Sequence, residues 1–329
     1  MELRQFGQTN MRVTPIGLGT WVMGGWMWGG ADEQDAIDAV KISVDGGVNL
    51  IDTAPIYGFG KAEEIVGKAL KKNGGREKII LATKFGLEWD EKERIRRNTS
   101  RKRLLQEIDD SLRRLQTDYI DIYQVHWPDN NTPAEETMET LMELYEKGVI
   151  KAVGVSNYSV AQIEESMRFA PVHSLQPPFN MFEQEIKADI LPFCVKNNIA
   201  TLTYGTLCRG LLTGKFSKDS SFKKGDLRKY DPKFKGEQFA VYLNAVEKLK
   251  RIATQKNAAT AQLAIEWTIE QPGVTCALIG ARNPKQAQEN IRILNGRVFS
   301  SEELKHAGKI IDETVAKPVG PEFMAPPKE

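Results

Sequence analysis

The chain has 329 residues, of which 41% are hydrophobic and 27% charged, a composition typical of a globular protein and not of a disordered one. Because 45 basic residues face 44 acidic ones, the net charge of +1 gives no reason to expect nucleic acid or an anionic membrane as a partner. The apolar runs fall short of the roughly 18 residues of a membrane span, and the N-terminal residues lack the apolar core of a signal peptide. Three cysteines and three histidines, all without metal-ligand spacing, predict a reduced, cytoplasmic protein with no metal site.

Short apolar segments alternate along the chain with amphipathic segments of helical period. The apolar segments are rich in β-branched residues or flanked by Gly or Pro, as buried parallel strands are. The strand candidates are Ile16–Leu18, Val48–Ile51, Ile79–Ala82, Ile120–Val125, Ala152–Val155, His173–Leu175, Ala200–Leu202 and Cys276–Ile279. The helix candidates, which carry recognisable start or stop residues, are Ala36–Val44, Glu63–Leu70, Arg101–Leu115, Glu135–Glu146, Val160–Phe169 and Ile186–Asn197.

Eight strands, most of them followed by a helix, predict one α/β domain over residues 1–329. The expected fold is a (β/α)8 TIM barrel, because an open doubly wound sheet usually stops near six strands. A plain barrel needs about 250 residues, and the surplus has three locations. Residues 1–14 predict an N-terminal β-hairpin, and residues 205–240 predict a long loop after the seventh strand. Residues Lys317–Glu329, with four of the 15 prolines, predict a C-terminal extension that is not a helix.

Ionisable residues stand at the ends of successive predicted strands, where a barrel places its active site. Asp52 ends the second strand and Tyr57 follows shortly after, Lys84 ends the third strand, and His126 ends the fourth. An ammonium group beside a tyrosine lowers the pKa of the phenol and makes it a better general acid. Asp52 would keep Lys84 charged, and His126 could bond to the same substrate oxygen. This set predicts protonation of a carbonyl oxygen while hydride reaches the carbon. Hydrolysis and phosphoryl transfer fit poorly, because no nucleophile elbow, carboxylate pair or phosphate-binding loop is present.

Several long motifs then point to one family. In chain order they are GLGTW, DGGVNLIDTAPIYG, LATK, LRRLQTDYIDIYQVHWP, GVSNYS, LQPPFN, RGLLTGKF and IGARNPKQAQEN. Over nearly its full length the chain closely resembles the aldo-keto reductase superfamily. TLCRGLLTGKF and VGPEFMAPP are most similar to the bacterial general stress protein branch, close to the inositol-operon and potassium-channel β-subunit relatives. The resemblance implies a (β/α)8 barrel, NADP(H) bound in extended form and reversible reduction of aldehydes or ketones. It also implies a stress-response role and a catalytic tetrad of Asp52, Tyr57, Lys84 and His126, with Tyr57 as the acid.

The resemblance also assigns cofactor contacts along the chain. Ser156, Asn157 and Gln176 are expected at the nicotinamide carboxamide, and Tyr204 is expected to stack on its ring. The remaining expected cofactor contacts are Gly19, Thr20, Trp21 and Asp52 near the first two strands, Gly205, Leu207, Arg209, Gly210, Leu211 and Lys215 over the pyrophosphate, and Gly280, Arg282, Gln286, Glu289 and Asn290 around the adenosine. A guanidinium suits a 2′-phosphate, so Arg282 predicts a preference for NADPH. Gln286 stands where many reductases of the superfamily carry Arg, which leaves that preference to Arg282.

Aromatic residues predict the walls of a substrate pocket for a small carbonyl compound. The expected lining residues are Trp21, Trp26, Trp28, Tyr57, His126 and Trp127. The basic run Arg94–Arg103 predicts a solvated loop and the start of a helix. Two other functions stay open: a cofactor-binding regulatory protein resembling the channel β-subunits, and a sugar or cyclitol dehydrogenase working in the oxidative direction. The sequence is compatible with a monomer or a homo-oligomer.

Overall fold

A closed barrel of eight parallel strands forms the centre of the computed structural model, which describes residues 1–327 with the exception of the Asn73 side chain. In chain order the strands are β1 (Arg4–Gln5), β2 (Arg12–Val13), β3 (Ile16–Gly19), β4 (Leu50–Asp52), β5 (Ile80–Phe85), β6 (Leu87–Trp89), β7 (Ile95–Arg97), β8 (Ile122–Val125), β9 (Val153–Ser156), β10 (Ser174–Gln176), β11 (Ala200–Thr203) and β12 (Cys276–Gly280). The helices are α1 (Glu33–Asp45), α2 (Lys61–Asn73), α3 (Arg101–Leu115), α4 (Ala134–Glu146), α5 (Val160–Ser166), α6 (Ile190–Lys196), α7 (Gly236–Gln255), α8 (Thr260–Ile269), α9 (Pro284–Ile291) and α10 (Ser301–Thr314).

The predicted TIM barrel is confirmed, and each predicted strand overlaps one barrel strand. The barrel order is β3-β4-β5-β8-β9-β10-β11-β12, and β12 pairs with β3 to close it. All of these pairs are parallel, so the carboxyl ends of the eight strands form one rim. The register places Gly280, Gly19 and Asp52 side by side on that rim.

The barrel interior changes from apolar to polar along its axis. Its lower layers contain buried apolar side chains such as Leu50, Ala82 and Ile122. The predicted N-terminal hairpin is confirmed as β1 paired antiparallel with β2, and Phe6 and Val13 from this region join the same core. The hairpin therefore closes the floor of the barrel, which leaves the opposite rim for polar residues.

Two predicted helices are shorter in the structure. Helix α5 ends at Ser166 instead of Phe169. The segment Ile186–Asn197 divides into a 3-10 turn over Glu185–Lys187 and helix α6. The break has a local cause, because the Asp189 side chain caps the N–H of Ile190 and Pro192 is tolerated only in a first helical turn.

The insertions differ in detail from their predictions. Helix α7 begins at Gly236, so the long loop after β11 ends at residue 235 and contains three short 3-10 segments. The C-terminal extension has one 3-10 turn, Glu322–Met324, and residues 328–329 of it lie outside the described part. In residues 1–327 no helix is long and apolar enough to cross a membrane. All three cysteines are free thiols.

The basic run holds a strand that the sequence prediction missed. Residues Ile95–Arg97 pair antiparallel with β6 as a hairpin beyond β5. Arg97 is buried, and its guanidinium lies over the Trp127 ring. The prediction of a solvated loop was wrong for this segment, because Arg97 faces inward from the hairpin and not toward solvent.

Candidate active site

Two neighbouring strands and one turn bring three members of the predicted tetrad together. Asp52 ends β4, Lys84 lies on the adjacent strand β5, and Tyr57 lies in the turn between β4 and α2. A close backbone approach holds that turn, since a Cβ on Gly24 would lie 2.4 Å from the carbonyl oxygen of Tyr57. The N–H and hydroxyl of Thr20 both donate to the Asp52 carbonyl, each at 3.0 Å, and fix the end of β4.

Lys84 is fully buried and uses all three of its hydrogens. Its Nζ donates to Asp52 Oδ1 at 2.7 Å, to the Thr53 carbonyl at 3.0 Å and to the Tyr57 hydroxyl oxygen at 3.2 Å. An ammonium group has three donors and no acceptor. The Tyr57 oxygen is therefore an acceptor in this contact, and its own hydrogen is free to point elsewhere.

The charges around Tyr57 correct one prediction. Burial raises the pKa of Tyr57 well above its ordinary value, and the negative charge of Asp52 raises it further. The expected net lowering by Lys84 is not found, because burial and the Asp52 charge both disfavour the phenolate. Burial also lowers the pKa of Lys84, an effect that Asp52 opposes. Tyr57 consequently holds its proton at neutral pH.

His126 completes the tetrad from the far side of Tyr57. The two rings meet edge-on, with centroids 5.7 Å apart and planes at 84°. Burial lowers the pKa of His126 well below 6.5, and the charge of Lys84 lowers it further. The imidazole is therefore neutral at physiological pH and acts as a hydrogen-bonding group, not as a cation.

The residues expected at the carboxamide lie together at the ends of β9 and β10. Asn157 donates to the His126 carbonyl and to Ser156 Oγ, each at 3.0 Å, and accepts from the Tyr204 hydroxyl at 2.9 Å. Its amide is thus committed to protein partners. Gln176 donates through Nε2 to Asp52 Oδ2 at 2.8 Å. Ser156, Asn157, Gln176 and Tyr204 all reach the cavity beside Tyr57.

A cavity of about 250 Å³ opens above the tetrad. Five of the six predicted pocket residues line it, namely Trp21, Trp26, Tyr57, His126 and Trp127. Trp28 was wrongly placed there: its ring meets Trp21 edge-on, with centroids 5.5 Å apart, and lies behind it. The Trp21 ring in turn stacks on Tyr57 at 5.7 Å. The cavity wall is largely aromatic and apolar, and its polar groups are concentrated at the strand ends.

The C-terminal segment forms one wall of this cavity, which sequence reasoning missed. Its lining residues are Phe323, Met324, Ala325, Pro326 and Pro327, and other unpredicted lining residues are Met27, Ile56, Leu87, Ile95 and Leu227. Arg97 anchors the segment by donating to the Pro326 carbonyl at 2.7 Å and to the Pro128 carbonyl at 2.9 Å. The prolines marked this segment as irregular, but no local pattern showed that it folds back over the barrel.

The Arg209 side chain belongs to a buried group of charged residues. Its guanidinium is buried and bonds to both oxygens of Glu183 at 2.5 and 3.0 Å and to Asp231 at 2.9 Å. Lys233 also binds Glu183, with its Nζ 2.8 Å from the carboxylate. We call these four residues, Arg209, Glu183, Asp231 and Lys233, the ion cluster. The Arg209 guanidinium is thus bonded to carboxylates, and the expectation that the loop around it covers a pyrophosphate stays a prediction. Cys208, Arg209 and Gly210 have positive φ angles of 46°, 52° and 89°, so the ion cluster holds a strained backbone turn.

The opposite end of the site carries two arginines from separate loops. Arg282 donates to the Trp28 carbonyl at 3.3 Å, and the Arg228 guanidinium lies 5.8 Å from the Trp28 ring centroid. Burial lowers the pKa of Arg282, and repulsion from Arg228 lowers it further while Asp226 opposes both. Leu227 donates to the Met27 carbonyl at 2.9 Å and thereby joins the two loops. Arg228 is a second cation that sequence reasoning missed, because 54 residues separate it from Arg282.

The remaining predicted cofactor residues surround these loops. The Gln286 side chain accepts from the Arg282 N–H at 3.0 Å, and Asn290 donates to the Gly280 carbonyl at 3.2 Å. Both side chains thus shape the loop before α9. Lys215 and Glu289 are exposed, and Gly205, Leu207 and Leu211 lie in or next to the strained turn. Their contacts with a cofactor stay predictions.

Comparison with known proteins identifies the family. Residues 15–312 match the profile described as "Aldo/keto reductase family". The chain belongs to the aldo/keto reductase family. Its members are oxidoreductases that interconvert carbonyl compounds and alcohols, so this protein is an oxidoreductase. It is 48% identical over 328 residues to aldo-keto reductase YhdN of Bacillus subtilis, which covers 99% of this chain and 98% of the relative. It is 34% identical over 309 residues to the NADH-specific methylglyoxal reductase of Escherichia coli, which covers 90% of this chain and 94% of that enzyme.

Solved structures agree with the family assignment of this aldo-keto reductase. The glycerol dehydrogenase AKR11B4 from Gluconobacter oxydans has a TM-score of 0.88 and 42% identity, covering 98% of this chain and 99% of that one. An aldo/keto reductase from Klebsiella pneumoniae in complex with NADP and acetate has a TM-score of 0.72 and 27% identity, covering 94% and 95%. The predicted family and barrel are therefore confirmed. The stress-protein branch, the cytoplasmic location and the oligomeric state stay predictions.

Proposed function

We propose that this aldo-keto reductase reduces small aldehydes or ketones with hydride from NADPH, and that Tyr57 supplies the proton. The observation that carries the proposal is the saturated Lys84 ammonium. Its three bonds make the Tyr57 oxygen an acceptor, so the Tyr57 hydrogen is left to donate into the cavity. The raised pKa keeps that hydrogen in place until a substrate oxygen becomes basic enough to take it.

The residues of the rim fit a nicotinamide dinucleotide. Arg228 forms a bidentate pair with Asp226 at 2.5 and 2.8 Å, and its charge lowers the pKa of the nearby Arg282. An anionic phosphate beside them would be stabilised by both guanidinium groups. Ser156 and Gln176 reach the cavity at the strand ends and fit a carboxamide. A bound dinucleotide would supply the hydride.

The chain's own groups account for the proton. Tyr57 gives its hydroxyl proton to the substrate oxygen as that oxygen gains negative charge. The phenolate that remains is stabilised by the Lys84 ammonium at 3.2 Å, whose own charge Asp52 maintains. Neutral His126 donates a hydrogen bond to the same oxygen and fixes which way the carbonyl points. Trp21 and Trp127 exclude water from the reacting atoms. The same groups run in reverse for alcohol oxidation, which is the activity named for the Gluconobacter relative.

Substitution of Tyr57 by Phe tests this proposal, because the ring stays and only the proton is removed. We expect turnover of a small aldehyde with NADPH to fall roughly 10²–10⁴-fold, while quenching of tryptophan fluorescence still reports NADPH binding. Tyr119→Phe is the matched control, since Tyr119 precedes β8 at the opposite end of the barrel and packs against Arg76 and Lys151. Turnover that survives in Tyr57→Phe would contradict the assignment.

The preference for NADPH has its own test. Arg282→Ala removes one of the two cations at the proposed phosphate site. A charged hydrogen bond is worth about one to two decades of affinity, so the affinity for NADPH should fall by that amount. NADH lacks the 2′-phosphate and should lose little affinity. Fluorescence titration of both nucleotides measures the two losses. Equal losses, or equal affinities in the wild type, would make the enzyme NAD-linked, as the name of the Escherichia coli relative states for that protein.

A further inference from the structure

Gln124 is a buried polar residue inside the barrel that the proposed proton transfer does not yet use. It lies on β8, directly beside Lys84 of β5 in the strand register. Its Nε2 donates to Asp52 Oδ2 at 3.3 Å, and its Oε1 accepts from Gln176 Nε2 at 3.4 Å. Gln124 has no exposed surface, so its amide faces only protein.

These contacts give Asp52 a complete set of partners. Lys84 binds Oδ1 at 2.7 Å, while Gln176 and Gln124 both donate to Oδ2. A carboxylate held at both oxygens cannot rotate, so the Lys84 ammonium is held in one position as well. Gln176 donates through Nε2 to Asp52 and Gln124. Its Oε1 is left as an acceptor, and Gln176 lines the cavity.

The neighbouring strand makes room for this arrangement. Gly154 of β9 is the register partner of Gln124. A Cβ on Gly154 would lie 2.7 Å from Gln124 Cγ and 2.6 Å from Ser174 Oγ. A larger residue at 154 would therefore displace the Gln124 side chain from its contacts with Asp52 and Gln176.

We propose that Gln124 is a positioning residue for the proton transfer. It holds the Asp52 carboxylate in place and orients the Gln176 amide. The inference rests on the proposed function of Tyr57 and Lys84. Gln124 is fully buried and does not line the cavity, so its loss should act on kcat and leave the KM for the carbonyl compound nearly unchanged.

Four variants of the full chain test the proposal with a small aldehyde and NADPH between pH 5 and 9. Gln124→Leu should lower kcat roughly tenfold or more, because a bond to a charged group is lost. Gln124→Glu has nearly the same shape but donates only while protonated. Its rate should approach that of the wild type at low pH and fall away as pH rises, which a merely structural role would not produce. Gly154→Ala should resemble Gln124→Leu. Ser174→Ala is the matched control and should behave as wild type, because no hydrogen bond of Ser174 Oγ is found among the described residues.

The outcomes separate this inference from the proposed function. If Tyr57→Phe abolishes turnover but Gln124→Leu stays within twofold of wild type, the role of Gln124 is overturned alone. A Gln124→Glu pH profile that parallels wild type would also overturn it, and decides the question even if Gln124→Leu does not fold. Retained turnover in Tyr57→Phe would overturn both.

Discussion

Replacing Arg209 by Met should separate the ion cluster's contribution to stability from its contribution to the site. Arg209, Glu183, Asp231 and Lys233 have side chains that are at most 3% exposed. Methionine has a similar volume but removes three hydrogen bonds to carboxylates and a fourth to Cys208 Sγ, and it leaves two buried carboxylates facing the Lys233 ammonium. Removing one partner of a buried ion pair typically costs about 3–5 kcal/mol. We expect a loss of that size in the free energy of unfolding.

An exposed arginine provides the matched control. Arg113 is 72% exposed and lies 2.7 Å from Asp110, and Arg113→Met should cost less than about 1 kcal/mol, as exposed pairs do. Urea unfolding followed by tryptophan fluorescence and circular dichroism measures both variants. A loss below 1 kcal/mol for Arg209→Met would refute the reasoning.

The pH dependence of that loss follows from Glu183. Burial opposes its ionisation, but Arg209 and Lys233 hold the pKa of the carboxyl below its ordinary 4.5. A lowered pKa contributes stability above pH 4.5 that is lost as pH falls through the folded-state pKa. The difference between wild type and Arg209→Met should therefore narrow below about pH 4. The strained turn at Cys208–Gly210 also loses its contacts with the ion cluster, so NADPH affinity should fall in the same variant. Unchanged affinity would show that the turn keeps its conformation without these contacts.

Two further substitutions test the tetrad and the cavity wall. Lys84→Met should reduce turnover roughly 10²–10⁴-fold without abolishing NADPH binding, since the phenolate of Tyr57 loses the ammonium 3.2 Å away; steady-state rates within tenfold of wild type would contradict this. Phe323→Ala should raise the KM for small carbonyl compounds about tenfold and leave kcat within about threefold. Loss of about 50 Å² of apolar contact corresponds to a tenfold change in affinity. Phe169→Ala, in the turn after α5, serves as its control, and an equal KM in both variants would remove the C-terminal segment from the substrate site.

Local sequence pattern determined the barrel and the tetrad. Strand candidates are short apolar runs, and this pattern depends only on neighbouring residues. A parallel barrel gathers all strand ends on one rim, so Asp52, Lys84 and His126 meet whatever the loops do. Tyr57 follows Asp52 by five residues and can reach no other place.

Tertiary structure decided every contact between distant loops. The sequence does not show that Arg209 faces Glu183, that Arg228 approaches Arg282, or that the C-terminal segment lies against Arg97. The cause is physical: a charged side chain has several partners within reach of its loop, and burial favours the arrangement that pairs most of its polar hydrogens. The pKa of Tyr57 was wrongly predicted for the same reason. The pairing of Lys84 with Asp52 was predicted from the sequence, but the depth at which Tyr57 is buried was not.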